Sequence, residues 1–563
     1  MNSSTTTSLP RLPDYSRPAT AAAILGAAVL SGGVTVAIYS LYFAADNPFA
    51  GTIDSEETLS DTLGVFSIAF GAAALLLLAV ALRWSVTLRA AGFGNPPVLI
   101  MSVVLAVEVI ICANLDILST VDQVFDDYAA YPRLPMAVAA WYLVIAGSVL
   151  ALGTTLAPPS RRALTTRSGA VLAAIGVLAC AAAAGVAQCV GDDDRVIDHR
   201  TAAATAVSPV PNRLGSEKFR INLKDSRRVV VGGNGFFVGS KEGITAYDGA
   251  TGNPRWHYLR PKVTSRGVQH SPDSMVSVPA ENVVATYWEN LGWIAFDAST
   301  GERLWTDSEF SRGRPEHGPT AGTTYGDEPA PFLVRVTDCT LARYEARSGR
   351  LMWAHPGQNV CRIRDSKIAV TSHAIYRMSA VGTTQTLISA FDLATGATVA
   401  ERKIPNPDSD RTPKLSVVDD VVSIDWHDKT AGHLRFESPD NLRTAAVTEP
   451  AEVIAADPST GTIVTRSDRD AVTMSETRAP AGSRPVVGLP SYWSYKFDAL
   501  LLTDELVIST EGLRTWKRSD LTENTPDDAL SSCSLLGASQ APGVVLLRCG
   551  DSRSTPQIVG FAP

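Results

Sequence analysis

The sequence predicts an α-helical membrane bundle of about five transmembrane helices followed by an all-β eight-bladed propeller. Three observations carry this expectation. Five apolar stretches lie within residues 20–190, the arginines of the connecting loops are unevenly distributed, and the remainder of the chain repeats itself at a nearly constant spacing.

The chain has 563 residues, 45% of them hydrophobic, more than one hydrophobic core accommodates. The average hides two halves. Residues 20–190 are dominated by Ala, Leu, Val, Ile and Gly, whereas the rest is polar and every lysine lies at or beyond Lys218. The net charge of −8 argues against nucleic acid as a partner, because phosphate binding requires a basic face.

The apolar stretches cover roughly 20–45, 63–83, 97–119, 135–157 and 169–190. Each is long enough to cross a hydrocarbon core of about 30 Å as a helix. Arg11 and Arg17 precede the first, Arg83 and Arg89 follow the second, and Arg161, Arg162 and Arg167 follow the fourth. The alternate connections are acidic, with Asp46, Asp54, Glu56, Glu57 and Asp61 in one, and Asp122, Asp126 and Asp127 in the other; Arg133 alone breaks the pattern. This asymmetry puts residues 1–19 in the cytoplasm as a tail. Five spans at 20–190 then place everything after them outside the cytoplasmic (inner) membrane, with the lipid bilayer as a partner. In the third stretch Glu108, Cys112 and Asp116 are spaced to share one helical face. Glu108 and Asp116 form a possible intramembrane polar site, a proton or quinone site or a contact to a partner; the plainer reading is a hydrogen bond between helices.

Residues 191–216 have no hydrophobic period and read as a linker. Beyond them, four segments align: ITAYDGATGNPRW (Ile244 to Trp256), WIAFDASTGERLW (Trp293 to Trp305), LARYEARSGRLMW (Leu341 to Trp353) and ISAFDLATGATVA (Ile388 to Ala400). A short alternating strand leads to an acid (Asp248, Asp297, Glu345 or Asp392), then to Gly252, Gly301, Gly349 or Gly396, then to Trp256, Trp305 or Trp353, with Ala400 in the fourth copy. The acid accepts backbone N–H groups of a hairpin turn, glycine takes the positive-φ position, and tryptophan starts the returning strand and packs between sheets. The acids are 49, 48 and 47 residues apart, and fainter copies place Glu437, Glu476, Lys517 and Ala562 in the same slot. Eight slots, each preceded by strand-like runs, predict eight four-stranded blades over 217–563. The eighth lacks its last strand, and KFRINL (Lys218 to Leu223) is a spare that completes it.

The segment AFDASTGERLW resembles the repeat of PQQ-like (quinoprotein alcohol dehydrogenase-like) propellers, clearly in the first four units and faintly in the last four. That resemblance implies one of two kinds of protein. Quinoprotein dehydrogenases bind PQQ and calcium, and some carry five N-terminal spans before the propeller. BamB-like propellers bind no cofactor and act as scaffolds in the cell envelope. The short loops, the lack of a vicinal Cys-Cys pair and the lack of a matching calcium-ligand set favour the second kind. The expectation is therefore a scaffold rather than an enzyme, with no cofactor, binding another envelope or membrane protein through the propeller face. The alternatives are a PQQ-dependent dehydrogenase passing electrons to membrane quinone and an envelope ligand sensor.

Four cysteines lie in the propeller, an even number that suits disulfides in an oxidising compartment. Cys533 pairs with Cys549 and Cys339 with Cys361 on this reading. The histidines are scattered without metal-ligand spacing, and GGNG (Gly232 to Gly235) reads as a hairpin turn rather than a phosphate cradle.

Overall fold

The computed structural model describes residues 16–45, 54–87, 131–152 and 166–192, and residues 197–562 apart from gaps that include 261–273, 307–331, 357–366, 486–497 and 525–534. It divides into two units at Val196/Ile197.

The first unit contains four long apolar helices among the described residues: α1 (Ser16–Tyr42), α2 (Asp54–Thr87), α3 (Arg133–Leu152) and α4 (Thr166–Val190). They cover four of the five apolar stretches; the stretch at 97–119 lies outside the described residues. Glycines set the close approaches. A Cβ at Gly26 would meet the backbone of Gly147 and Ala151, one at Gly147 would meet Leu30, and one at Gly176 would meet Ala28. Small residues let helix backbones approach closely where apolar burial gives no driving force. The contacts also fix direction. Leu41 of α1 meets Gly64 of α2 and Val34 meets Gly71, so α1 and α2 are antiparallel. The Trp141 ring packs on Phe66 and Phe70, and Val144 packs near Gly71, so α2 and α3 run parallel. At the shared end, the Arg133 guanidinium donates to Asp61 at 2.5 Å. The arginine that breaks the loop asymmetry is thus paired with an acid.

The second unit is an eight-bladed β-propeller. Its eight antiparallel sheets span 228–259, 274–305, 333–356, 367–405, 414–448, 451–485, 498–524 and 535–562. The third sheet has three strands among the described residues. In seven blades the predicted slot falls at the end of the third strand, and in the third blade at the end of the second of its three described strands; Gly243–Asp248, Gly292–Asp297 and Leu513–Lys517 end on the slot residue itself. The last blade takes its outer strand from Ser216–Asn222, which pairs with Gln557–Ala562. This closing strand removes the free edge that an open ring would present. Gly232 and Gly235 face each other across a two-residue turn, so GGNG is a hairpin. Asp419 and Asp420, at φ 44° and 66°, form the matching turn of the fifth blade.

The segment expected to be a linker is not a free tether. Asp198–Arg200 pairs with Pro254–Leu259 as a fifth strand of the first blade. Residues 201–215 then run as a strap over the turns of four blades. Ala202 N–H donates to Thr300 O at 2.8 Å, Gly543 N–H to Pro209 O at 3.0 Å and Asp504 N–H to Asn212 O at 3.0 Å. The Asn234 amide donates to Thr205 and Ala206. Leu214 is buried among Leu502, Val507, Leu513 and Val545 of the last two blades.

Candidate functional site

The repeat motif builds one device several times over. In the second blade, Asp297 ends a buried strand and its Oδ1 accepts from Ser299 N–H, Thr300 N–H and the Thr300 hydroxyl at 3.0–3.1 Å. Gly301 closes the turn at φ +76°. The turn presents two things to the preceding blade: an unhindered glycine face and an outward carbonyl at Ala298. Trp256 of the first blade uses both. Its indole N–H donates to Ala298 O at 3.0 Å, and a Cβ at Gly301 would lie 2.5 Å from the ring. Trp305 donates to Ala346 O at 2.8 Å, and Trp353 to Leu393 O at 2.9 Å while lying over Gly396. Each tryptophan therefore docks its blade onto the next. Glycine is required here because its positive φ and the ring overhead both exclude a side chain.

The acids differ in how much they hold. Asp248 and Asp392 order their own turns through Thr251 and Thr395. Glu345 accepts from the Ser348 hydroxyl at 2.6 Å. Asp297, 8% exposed, also accepts from Asn282 of its own blade and from Arg347 of the third blade at 3.0 Å. Burial opposes ionisation of Asp297, but hydrogen bonds from Thr300, Arg347 and Ser299 outweigh it and hold the carboxyl below its ordinary range.

Three interblade devices are absent from the sequence reading. Phe219 of the closing strand takes the tryptophan's place at the ring seam: a Cβ at Gly252 would lie 2.4 Å from its ring, and it stacks on Phe236. In the fourth blade, where Ala400 replaces tryptophan, Arg402 reaches Leu442 O and Ala445 O at 2.9 and 2.7 Å. Leu442 lies in α5 (Pro439–Thr444), a short helix with Ser438 at its N-cap and Ala445 at its C-cap. In the sixth blade, DPSTG (Asp457 to Gly461) repeats the acid-Thr-Gly pattern at the first turn rather than the last. Asp457 there accepts from Arg518 of the seventh blade at 2.8 Å. Searching for Asp-x-x-Thr-Gly without a fixed period would have found this one; Phe219 and Arg402 carry no local signature.

Trp256 and Trp305 are used between blades. Trp256 is 1% exposed and Trp305 8%, and both indole N–H groups are engaged between blades. Glu108, Cys112, Asp116, Cys339, Cys361 and Cys533 lie outside the described residues. Cys549 is buried on Val544–Cys549, and Leu535 lies opposite it.

No protein-family model matches the chain, and no curated protein matches it. Solved structures do. BamB from Moraxella catarrhalis is 14% identical, covering 62% of this chain and 98% of its own, with a TM-score of 0.38. The computationally designed Ika8 protein is 13% identical, covering 64% and 100%, with a TM-score of 0.38. The RRP9 WD40 repeats are 13% identical, covering 53% and 96%, with a TM-score of 0.31. At such identities the likeness concerns the fold alone.

Proposed function

We propose that this chain is a multi-pass protein of the cytoplasmic membrane whose propeller stands on the outer side and serves as a non-enzymatic scaffold for another envelope or membrane protein. The observation that carries the reading is the engagement of its conspicuous side chains. The tryptophans and glycines that stand out in the sequence hold blade to blade and the acids order the turns that receive them, which leaves recognition to loops and faces.

The membrane topology is supported independently. α2 and α3 run parallel, and the apolar stretch at 97–119, which lies outside the described residues, is long enough in sequence to cross a bilayer. An odd number of spans with arginine-rich connections on the N-terminal side then puts the propeller on the opposite side. An oxidising location also suits a Cys533–Cys549 disulfide, since Cys533 precedes by two residues the Leu535 that faces Cys549.

Two measurements test the scaffold. Crosslinking in intact membranes is expected to trap a defined envelope or membrane protein on the propeller. Purified protein mixed with PQQ and Ca²⁺ is expected to show no bound-quinone spectrum; stoichiometric binding with dye reduction by sugars or alcohols overturns the reading in favour of a dehydrogenase.

A further inference from the structure

Where the tryptophan slot fades, the turns between first and second strands help to carry the seams. In the fifth blade that turn is Asp419 and Asp420, and its two carboxyls reach opposite neighbours. Asp420 accepts from the Ser372 N–H of the fourth blade at 2.8 Å and from the Ser372 hydroxyl. Asp419 accepts from the Ala456 N–H of the sixth blade at 3.3 Å. The next residue, Asp457, is held in turn by Arg518 of the seventh blade. One series of acids therefore links four consecutive blades.

The joints differ in one respect. Asp297 and Asp457, which bridge to the third and seventh blades, each meet an arginine there, at 3.0 and 2.8 Å. Asp419 meets only a main-chain N–H among the described residues. The charged groups acting on it are Asp420 of its own turn and Asp457 of the sixth blade, both acidic. Arg518 of the seventh blade is engaged with Asp457, and the fourth-blade turn carries His373 next to Ser372. An ionised Asp419 thus has two like charges as neighbours and no cation of its own, an arrangement that disfavours the charged form.

We propose that the seam between the fifth and sixth blades is a proton-dependent latch, closed while the Asp419 carboxyl carries a proton and loosened when that proton is lost. The protonated group keeps its carbonyl oxygen for the Ala456 N–H and sheds the charge that Asp420 and Asp457 oppose. Burial pushes the Asp419 carboxyl up to about 6; the Ala456 N–H works against this, and Asp420 and Asp457 add to it. Solvent still reaches Asp419 at its turn, so protons exchange without opening the ring. The closed value lies above the ordinary 3.8. The latch is therefore strongest below 3.8 and is lost as pH rises from there through about 6. This inference concerns the propeller alone and holds on either side of a membrane.

The test is amide hydrogen exchange of the purified full chain between about pH 4.5 and about pH 7, each rate being divided by the intrinsic rate at that pH. Asp419→Asn is the comparison, because asparagine can still accept from Ala456, tolerates the positive φ of this turn and has no proton to lose. The readout is opening of Ala451–Asp457 in the parent relative to the variant, with Gly235–Ser240 of the first blade as the internal reference. That ratio is expected to rise about tenfold across the range, while the first blade stays level. Asp420→Asn removes one like charge from the same turn and is expected to shift the rise to lower pH. If Asp419→Asn does not fold, the parent's profile and its displacement in Asp420→Asn decide the matter. Opening of Ala451–Asp457 that does not rise with pH, or that rises equally in the first blade, overturns the latch. So does a rise that Asp420→Asn leaves in place.

Discussion

A methyl group at Gly301 would enter the space occupied by the Trp256 ring and would force an L-residue to hold φ +76°. The two costs add, about 1–2 kcal/mol for the backbone and about 1–3 kcal/mol for overpacking. Gly301→Ala is therefore expected to destabilise the propeller by about 2–5 kcal/mol, measured by denaturant unfolding of the purified protein. Asp457 makes a pH-dependent prediction. Burial alone would raise its carboxyl, but hydrogen bonds from Ser459, Arg518 and Thr460, together with the Arg518 charge, hold it at about 2 against an ordinary 3.8. The folded value is the lower one, so the stabilisation is present above 3.8 and is lost as pH falls from 3.8 toward 2. Acid unfolding curves should show this loss, and Asp457→Asn should flatten it; an unchanged slope would count against the Asp457–Arg518 link. At this scale the turn acids and glycines were legible because Asp-x-x-Thr-Gly has a local mechanism. Arg402 was not, because the carbonyls it reaches lie 40 and 43 residues away and any long side chain reaches a carbonyl equally well on paper; Phe219 was not, because its partners Phe236 and Gly252 belong to a different blade and share no local motif with it.

Among the elements, the closing strand was legible and the strap was not. Ser216–Asn222 alternates like its sheet neighbours, and the unit count left one strand missing. The strap has no period because main-chain groups and a single buried leucine hold it, and such contacts leave no pattern in side-chain polarity. Leu214 is where it is anchored most deeply, between the last two blades. Leu214→Ala is expected to cost about 2–4 kcal/mol and to raise the rate of proteolytic cleavage within 197–216 before the blades themselves are cut. Cleavage rates unchanged from the parent would show that the strap is anchored elsewhere. The apolar helices were legible from composition alone, while their packing partners became visible through the glycines of all four.

For the whole molecule, the eight units could be counted because the slot recurs even where its residue has drifted to Lys517 or Ala562; spacing survives substitution when strand length and sheet geometry are fixed. The assignment of sides is open to a direct check. Cysteines placed at Ser160, in the connection predicted to be cytoplasmic, and at Val399 in the propeller should label oppositely with a membrane-impermeant maleimide: Val399→Cys in intact cells, Ser160→Cys only after permeabilisation. Labelling of both in intact cells would contradict the arginine-based orientation. The ring also has a consequence in time. The strand that shuts it, Ser216–Asn222, is made before the blades it closes, and its mate Gln557–Ala562 only after seven of them. During synthesis the early strand waits, with one edge unpaired, until seven blades have followed it. A closure between such distant segments makes folding slow and exposes an aggregation-prone edge meanwhile. Loss of the final strand would remove the closure altogether, so late truncations of this chain should be degraded rather than merely weakened.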